Sequence, residues 1–246
     1  MIARIRINVV ALAVVIAARS VLAAPVTTKA MQVVSIAVYA PRDVTDSLVS
    51  RIREEASAIW ASAGISFEWH RVDSEARALE WPLDITVDDR RASAEPGGAL
   101  GWIMFTDSRP EHSIHLSRAC ADDLVRATPG LIDASFAAHE TLVGRALGRA
   151  LAHELGHYLL RSKAHSSSGL MRRFWNSDDS FGLSRAGLEL TTDQRAAAIA
   201  YLARNQQVPA APSPGGTLTE PPRAATRESR TSSSGSRRSA RRSGDG

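Results

Sequence analysis

Apolar and polar positions alternate in the first half of the chain in a way that predicts a small β-sheet. The segment 31–39 is rich in β-branched residues, and 65–71 alternates apolar and polar side chains as a half-buried strand does. Shorter apolar runs at 83–87, 100–105 and 113–116 are bounded by turn residues. We therefore expect five strands, the last two separated by a turn.

Helical spacing is found between the first two strands and again near the end of the chain. Asp43 or Thr45 is placed to cap the first helix, and Thr191 or Thr192 to cap a final helix that ends near Arg204. The first helix has an apolar face with four-residue and three-residue spacing, formed by Leu48, Ile52, Ala56 and Ile59.

A longer helix is predicted to begin near Asp133 or Ser135 and to end at Leu160. It carries small residues at every fourth position, which are Gly144, Gly148, Ala152 and Gly156. Because each interior glycine costs about 1 kcal/mol of helix propensity, we expect this stripe to pack closely against the sheet. Strands and helices together predict an α/β (α+β) fold.

The charge distribution argues against a nucleic-acid-binding domain. The net charge of +4 and the pI of about 9.8 come from the two ends of the chain. Residues 1–24 carry three arginines and no acid, and residues 205–246 carry seven arginines and three acids. Residues 25–204 hold 20 Lys and Arg against 23 Asp and Glu. No basic face is indicated, so we expect no specific nucleic-acid partner.

The two ends also predict the domain organisation. Two arginines precede a short apolar run, and small residues lead to a cleavage position after Ala23. We predict a signal peptide at 1–23, a folded domain at 24–204 and a disordered tail rich in Arg, Ser and Pro at 205–246. The protein is then secreted or periplasmic, with no membrane span after cleavage.

The segment HELGH at 153–157 indicates a metal site. Four helical residues advance the chain by about 400°, so His153 and His157 lie roughly 40° apart on one face and can bind one ion. Glu154 lies about 100° around the helix, where it can reach a water at the metal rather than the metal itself. This HExxH pattern predicts one catalytic Zn²⁺ with Glu154 as general base.

A catalytic zinc site normally has three protein ligands and one open position. His165 is favoured as the third ligand, because it follows His157 by eight residues in a loop whose Ser and Gly content lets the chain turn back. Asp178 and Asp179 are the main alternatives, and Glu189 is a further one.

The motif and the residues after it resemble a known family. Residues 153–171, HELGHYLLRSKAHSSSGLM, resemble the metzincin zinc peptidases, and are similar in more detail to small secreted bacterial proteins with the pattern AHELGHxLL…HSxxGLM. The resemblance implies a metzincin-like fold with a small twisted mixed sheet, a long active-site helix, a methionine turn and a C-terminal helix. It implies His153, His157 and His165 as ligands, Glu154 as base and Met171 as the turn methionine.

The sequence departs from the metzincin pattern in the segment that leads to the third ligand. The metzincin motif places its third histidine six residues after the second, whereas the separation here is eight. Leu160 occupies the position of the metzincin glycine, and Arg161 stands where the bacterial relatives often have glycine. If this turn requires a positive φ, Arg161 is strained.

We expect a zinc-dependent metallohydrolase that cleaves a peptide bond in a peptide or protein substrate. Arg172 or Arg173 can attract a substrate carboxylate or stabilise an oxyanion. Two alternatives stay open: a zinc-containing secreted binding module without catalysis, and a zinc amidase acting on cell-wall amides. A fourth ligand from an Asp or from Cys120 would favour the binding module.

Overall fold

One mixed β-sheet forms the centre of the fold. The computed structural model describes residues 32–92 and 98–206. The strands are β1 (Gln32–Tyr39), β2 (Ile65–Val72), β3 (Asp84–Asp88), β4 (Gly101–Thr106) and β5 (Arg109–Ser117). Their order is β2-β1-β3-β5-β4, and each neighbouring pair is parallel except the β4–β5 hairpin. The sheet therefore leaves β2 and β4 as its two edges.

Six helices accompany the strands in the described part of the chain. They are α1 (Asp46–Ala61), α2 (Glu75–Ala78), α3 (Arg118–Ala127), α4 (Phe136–Leu160), α5 (Ser177–Phe181) and α6 (Thr192–Gln206). The pattern of apolar and polar residues does not predict α2, α3 or α5. Two of these are single turns, and α3 follows β5 without an intervening loop, so no turn signal separates them.

The helix caps explain where three of the helices begin. The side-chain oxygen of Thr45 accepts from the backbone N–H of Leu48, and that of Ser135 accepts from Ala138. The hydroxyl of Thr191 accepts from the backbone N–H of Gln194 at 3.2 Å. Among the alternative caps considered, Thr45, Ser135 and Thr191 are therefore the ones used.

The core lies where α1 and α4 cover the sheet. The buried apolar residues of the strands form one continuous cluster with these helices. Strand members of this cluster include Ile36, Val38, Ile65, Ile85, Val87, Ile114 and Leu116. The predicted α/β architecture, with a mixed sheet, a long helix and a C-terminal helix, is confirmed.

The first two glycines of the α4 stripe pack against α1 rather than against the sheet, although the helix also contacts β4 and β5. A Cβ atom at Gly144 would lie 2.7 Å from the Cβ of Arg51, and one at Gly148 would lie 2.6 Å from the Cβ of Glu55. Neither position has room for a larger residue unless α1 moves. The stripe therefore sets the distance between the two long helices.

The predicted signal peptide at 1–23 lies outside the described residues, as does the predicted tail from residue 207 onward. Among the helices of 32–92 and 98–206, none is long and apolar enough to cross a membrane. The predicted domain boundaries and the predicted export of the protein stay predictions.

Candidate metal centre

The C-terminal half of α4 brings His153 and His157 together. One helical turn separates them, and their Nε2 atoms lie 3.1 Å apart. The Nδ1 atom of His153 lies 2.8 Å from the carbonyl oxygen of Leu170, and that of His157 lies 2.7 Å from the carbonyl oxygen of Ser162. A carbonyl oxygen only accepts hydrogen bonds, so both rings carry their proton on Nδ1.

This hydrogen bonding leaves an unprotonated Nε2 on each ring. Two nitrogen lone pairs at 3.1 Å repel each other unless a cation lies between them. Tetrahedral zinc, with Zn–N bonds of about 2.0–2.1 Å, holds two ligand nitrogens roughly 3.3 Å apart. The arrangement therefore fits a zinc ion, with the two carbonyls fixing the orientation of the rings.

His165 completes the group from the loop after α4. Its ring centroid lies 5.3 Å from that of His153 and 4.9 Å from that of His157. Each of the three side chains offers a ligand atom, and these atoms lie within 4.8 Å of one another. In residues 32–92 and 98–206, no other set of three or more His, Cys, Asp and Glu side chains converges in this way.

The turn that leads to His165 has the strained geometry considered above. Arg161 caps α4 in the left-handed conformation, with φ of 55°. Its guanidinium lies 5.7 Å from the ring centroid of Tyr158 and 5.5 Å from that of Tyr201. A cation over an aromatic ring is worth about 0.5–1 kcal/mol, which offsets part of the conformational cost of a non-glycine residue here.

The acidic alternatives for the third ligand lie elsewhere. The carboxylate of Asp179 accepts from the backbone N–H of Asn176 at 2.9 Å and forms an ion pair with Arg172. Glu189 accepts from the backbone N–H of Gly187 at 2.8 Å. Neither these two nor Asp178 belongs to the converging group. The geometry therefore favours His165.

Burial keeps the three imidazoles neutral. It lowers the pKa of His153 to about 4 and also lowers the pKa values of His157 and His165. Neutral imidazole is the form that binds a metal, because the Nε2 lone pair must be available. The three rings are therefore ready to bind a cation at neutral pH without first losing a proton.

Glu154 is the buried carboxyl group of the site. Its side chain borders the same cavity as His153, and the residue is only 9% exposed. Burial raises the pKa of Glu154 to about 8, although a hydrogen bond to the backbone of Ile103 acts in the opposite direction. A divalent cation nearby would favour the ionised form. Metal binding would thus prepare Glu154 to accept a proton.

Met171 lies beneath the motif helix. It is fully buried, and a Cβ atom at Gly156 would lie 2.1 Å from its Sδ atom. The backbone N–H of Ser166 donates to the carbonyl oxygen of Met171 at 2.8 Å, which ties the His165 loop to this methionine. The glycine of HELGH is therefore required by the methionine packed against it.

Replacing Gly156 with alanine is expected to lower the free energy of unfolding by about 1–3 kcal/mol through overpacking. Helix propensity alone predicts the opposite sign, a gain of about 1 kcal/mol. Urea denaturation of Gly156→Ala in the wild-type and Met171→Ala backgrounds separates these effects. In the Met171→Ala background the substitution should be neutral or stabilising, and the same loss in both backgrounds would contradict the packing explanation.

A cavity of about 410 Å³ opens beside the histidines. His153, Glu154 and His165 form the polar part of its wall. The apolar side chains of the wall come from three separate segments. They are Leu100, then Cys120 and Leu124 of α3, and Ala150 of α4. Arg172, Arg173 and Trp175 border the cavity after the methionine. The space has room for a small side chain of a ligand next to the three histidines.

Arg149 fixes the loop that borders this cavity. Its Nε donates to Glu55 at 2.9 Å, Nη1 to the carbonyl of Asp179 at 2.7 Å, and Nη2 to the carbonyls of Gly182 and Ser184 at 2.6 and 3.0 Å. The residue is only 1% exposed. The sequence pattern does not predict this role. Its signal is weak, because Arg149 is one of two arginines in the apolar, glycine-rich stretch of α4, the other being Arg145.

Comparison with known proteins adds one finding. No protein-family model matches the sequence, and the comparison with curated proteins also gives no match. The structure is similar to that of archaemetzincin from Methanopyrus kandleri, with 14% sequence identity and a TM-score of 0.44. The similarity covers 70% of this chain and 97% of that one. The resemblance to small secreted bacterial proteins stays a prediction.

Proposed function

We propose that this protein is a zinc-dependent hydrolase that cleaves peptide bonds, with Glu154 as general base. The observation that carries the proposal is the convergence of three histidines beside a buried carboxyl group in one cavity. The Nε2 atoms of His153 and His157 lie 3.1 Å apart, and His165 offers a third ligand atom. His153, His157 and His165 would hold the ion. Zinc would supply Lewis acidity, which polarises a carbonyl and lowers the pKa of water at the site to about 7.

The residues of the chain account for the proton transfers. An ionised Glu154 carboxylate would accept a proton from the attacking water, and the resulting carboxylic acid would donate it to the leaving amine nitrogen. The low exposure of Glu154 keeps bulk water from competing for that proton. The carbonyls of Leu170 and Ser162 would hold the two rings of α4 in place throughout.

The edge strand β4 offers a place for a peptide backbone. Gly101 begins this strand, and a Cβ atom there would lie 3.3 Å from Cγ of Glu154. A peptide that added to the free edge of β4 would therefore run past the general base. An extended substrate suits this edge, and we propose peptides or proteins as the substrate class.

An open coordination position favours catalysis over a binding module. A structural zinc site is normally closed by four protein ligands. In the described part of the chain, three ligands converge and no fourth His, Cys, Asp or Glu joins them. The predicted signal peptide at 1–23 supports the further proposal that the protein acts outside the cytoplasm.

Metal analysis and a hydrolysis assay test the proposed function. We expect about one zinc per chain, hydrolysis of a mixed peptide set, and loss of both after treatment with a chelator. His157→Ala should lose the metal, whereas His139→Ala should retain it. His139 is a matched control, because it also lies in α4 but does not belong to the converging group of histidines. Failure to bind zinc after reconstitution would overturn the proposal.

A further inference from the structure

The cavity beside the histidines has an unbalanced set of charges. Two arginines line it, Arg172 and Arg173, and Glu154 is the single carboxyl group among its lining residues. Glu154 is buried and has the catalytic role proposed above. A substrate in the cavity would therefore meet more positive charge than negative charge.

Arg172 is already committed to partners within the protein. It forms an ion pair with Asp179, and its Nη1 donates to the carbonyl of Gly187 at 3.4 Å. Its guanidinium also lies 5.8 Å from the ring centroid of Trp175. These contacts hold Arg172 in the loop that follows Met171, so this residue is a poor candidate for binding a ligand.

Arg173 differs from its neighbour in each of these respects. Its side chain is exposed, and across residues 32–92 and 98–206 no carboxylate lies within 4.0 Å of its guanidinium. Its one close ring contact is with the exposed Phe174, 5.9 Å from the guanidinium to the ring centroid. An arginine without an ion pair at the rim of a cavity can bind a carboxylate with two parallel hydrogen bonds.

We propose that Arg173 is a specificity-determining residue that binds a substrate carboxylate within one or two residues of the cleaved bond. The inference rests on the proposed function, because it assigns the substrate to the same cavity. The carboxylate can belong to an Asp or Glu side chain or to the C-terminus of a peptide, and a guanidinium binds both through the same contacts. The apolar wall of Leu100, Leu124 and Ala150 would receive a neighbouring apolar side chain.

Peptide binding to an inactive variant tests this inference without relying on catalysis. The full chain carrying Glu154→Gln, loaded with zinc, would be titrated with labelled peptides at physiological ionic strength, with fluorescence anisotropy as the readout. One pair of peptides differs by Asp against Asn at a single internal position. A second pair differs by a free C-terminal carboxylate against a C-terminal amide, which distinguishes the two sources of the carboxylate.

We expect one acidic peptide to bind about three- to tenfold more tightly than its neutral counterpart. The preference should disappear when Arg173→Gln is added. It should persist when Arg195→Gln is added, which removes an exposed arginine of α6 that does not line the cavity. Attraction between zinc and a carboxylate is common to all three proteins, so it cannot produce a difference between them.

The outcomes separate this inference from the proposed function. Equal binding of acidic and neutral peptides overturns the role of Arg173. A preference for the acidic peptide that survives Arg173→Gln also overturns it. Both conclusions hold even if the wild-type protein hydrolyses peptides. A preference that depends on Arg173, in a protein that hydrolyses no peptide, supports carboxylate binding by Arg173 and overturns the proposed function. Absence of binding by every peptide overturns the inference.

Discussion

Replacing Glu154 with glutamine is expected to reduce peptide hydrolysis by about 10²–10⁴-fold, the usual contribution of a general acid–base group. Glutamine has nearly the same shape but cannot accept a proton. In the proposed site the three histidines would hold the metal, and Glu154 is outside the converging group, so zinc content should not change. Initial rates and elemental analysis on the same preparations would measure both quantities.

Glu140→Gln provides the matched control for this experiment. Glu140 lies in the same helix and likewise follows a histidine, but its carboxylate accepts from the hydroxyl of Thr45 at 3.1 Å. It should leave hydrolysis unchanged. If Glu154→Gln kept more than a tenth of the wild-type rate with zinc bound, Glu154 would not be the general base. If it lost zinc, Glu154 would instead be supporting the metal site.

Replacing Arg149 with alanine is expected to lower the free energy of unfolding by about 3–5 kcal/mol. The substitution removes a cation that is almost fully buried and leaves Glu55 buried with one partner fewer. It also removes the donors to the carbonyls of the 178–184 loop. A buried acceptor without a partner costs about 1–3 kcal/mol. Urea denaturation would measure the change.

Arg185→Gln is the comparison that isolates the effect of burial. Arg185 binds the other oxygen of the same carboxylate, at 2.7 Å, but its side chain is 47% exposed. Solvent therefore weakens this pair, and we expect a loss of about 1 kcal/mol or less. Arg149→Lys should recover little stability, because an ammonium group cannot reproduce the planar set of donors. Equal losses for Arg149→Ala and Arg185→Gln would show that burial does not decide the difference.

Much of the fold follows from local patterns in the sequence. The β-branched residues of 32–39 and the alternation in 65–72 are typical of strands, and helical spacing from Leu48 to Ile59 reflects the period of a helix. Hydroxyl side chains mark the helix starts at Thr45 and Ser135. These features depend on residues close together in the chain, so the sequence alone predicts them.

The same reasoning explains why part of the site is predictable. The relative placement of His153 and His157 is a property of one helix, and four-residue spacing fixes it whatever the rest of the chain does. Glu154 follows from the same geometry. The sequence itself therefore determines that the two imidazole rings lie on one face of the helix. Imidazole nitrogen is also a ligand that zinc prefers.

Contacts between distant segments were decided only by the tertiary structure. Sequence left His165, Asp178, Asp179 and Glu189 open as third ligand, and the path of the loop after Arg161 brings His165 to the other two rings. Loop paths depend on packing against residues far along the chain, for which local spacing carries no signal.

The role of the glycine stripe and of Arg149 shows the same limit. Residue spacing predicts that α4 has one face of small residues. Only the structure shows that α1 packs against Gly144 and Gly148 and that Met171 packs against Gly156. From its neighbours in the sequence, Arg149 would be expected to be a solvated surface charge. In the structure it is surrounded by the carbonyl groups of the 178–184 loop and by Glu55, which lies 94 positions earlier in the chain. The sequence by itself determined the placement of His153, His157 and Glu154 relative to one another, because helix geometry is local. Tertiary packing decided the third histidine and the cavity, because close packing joins segments that the chain keeps apart.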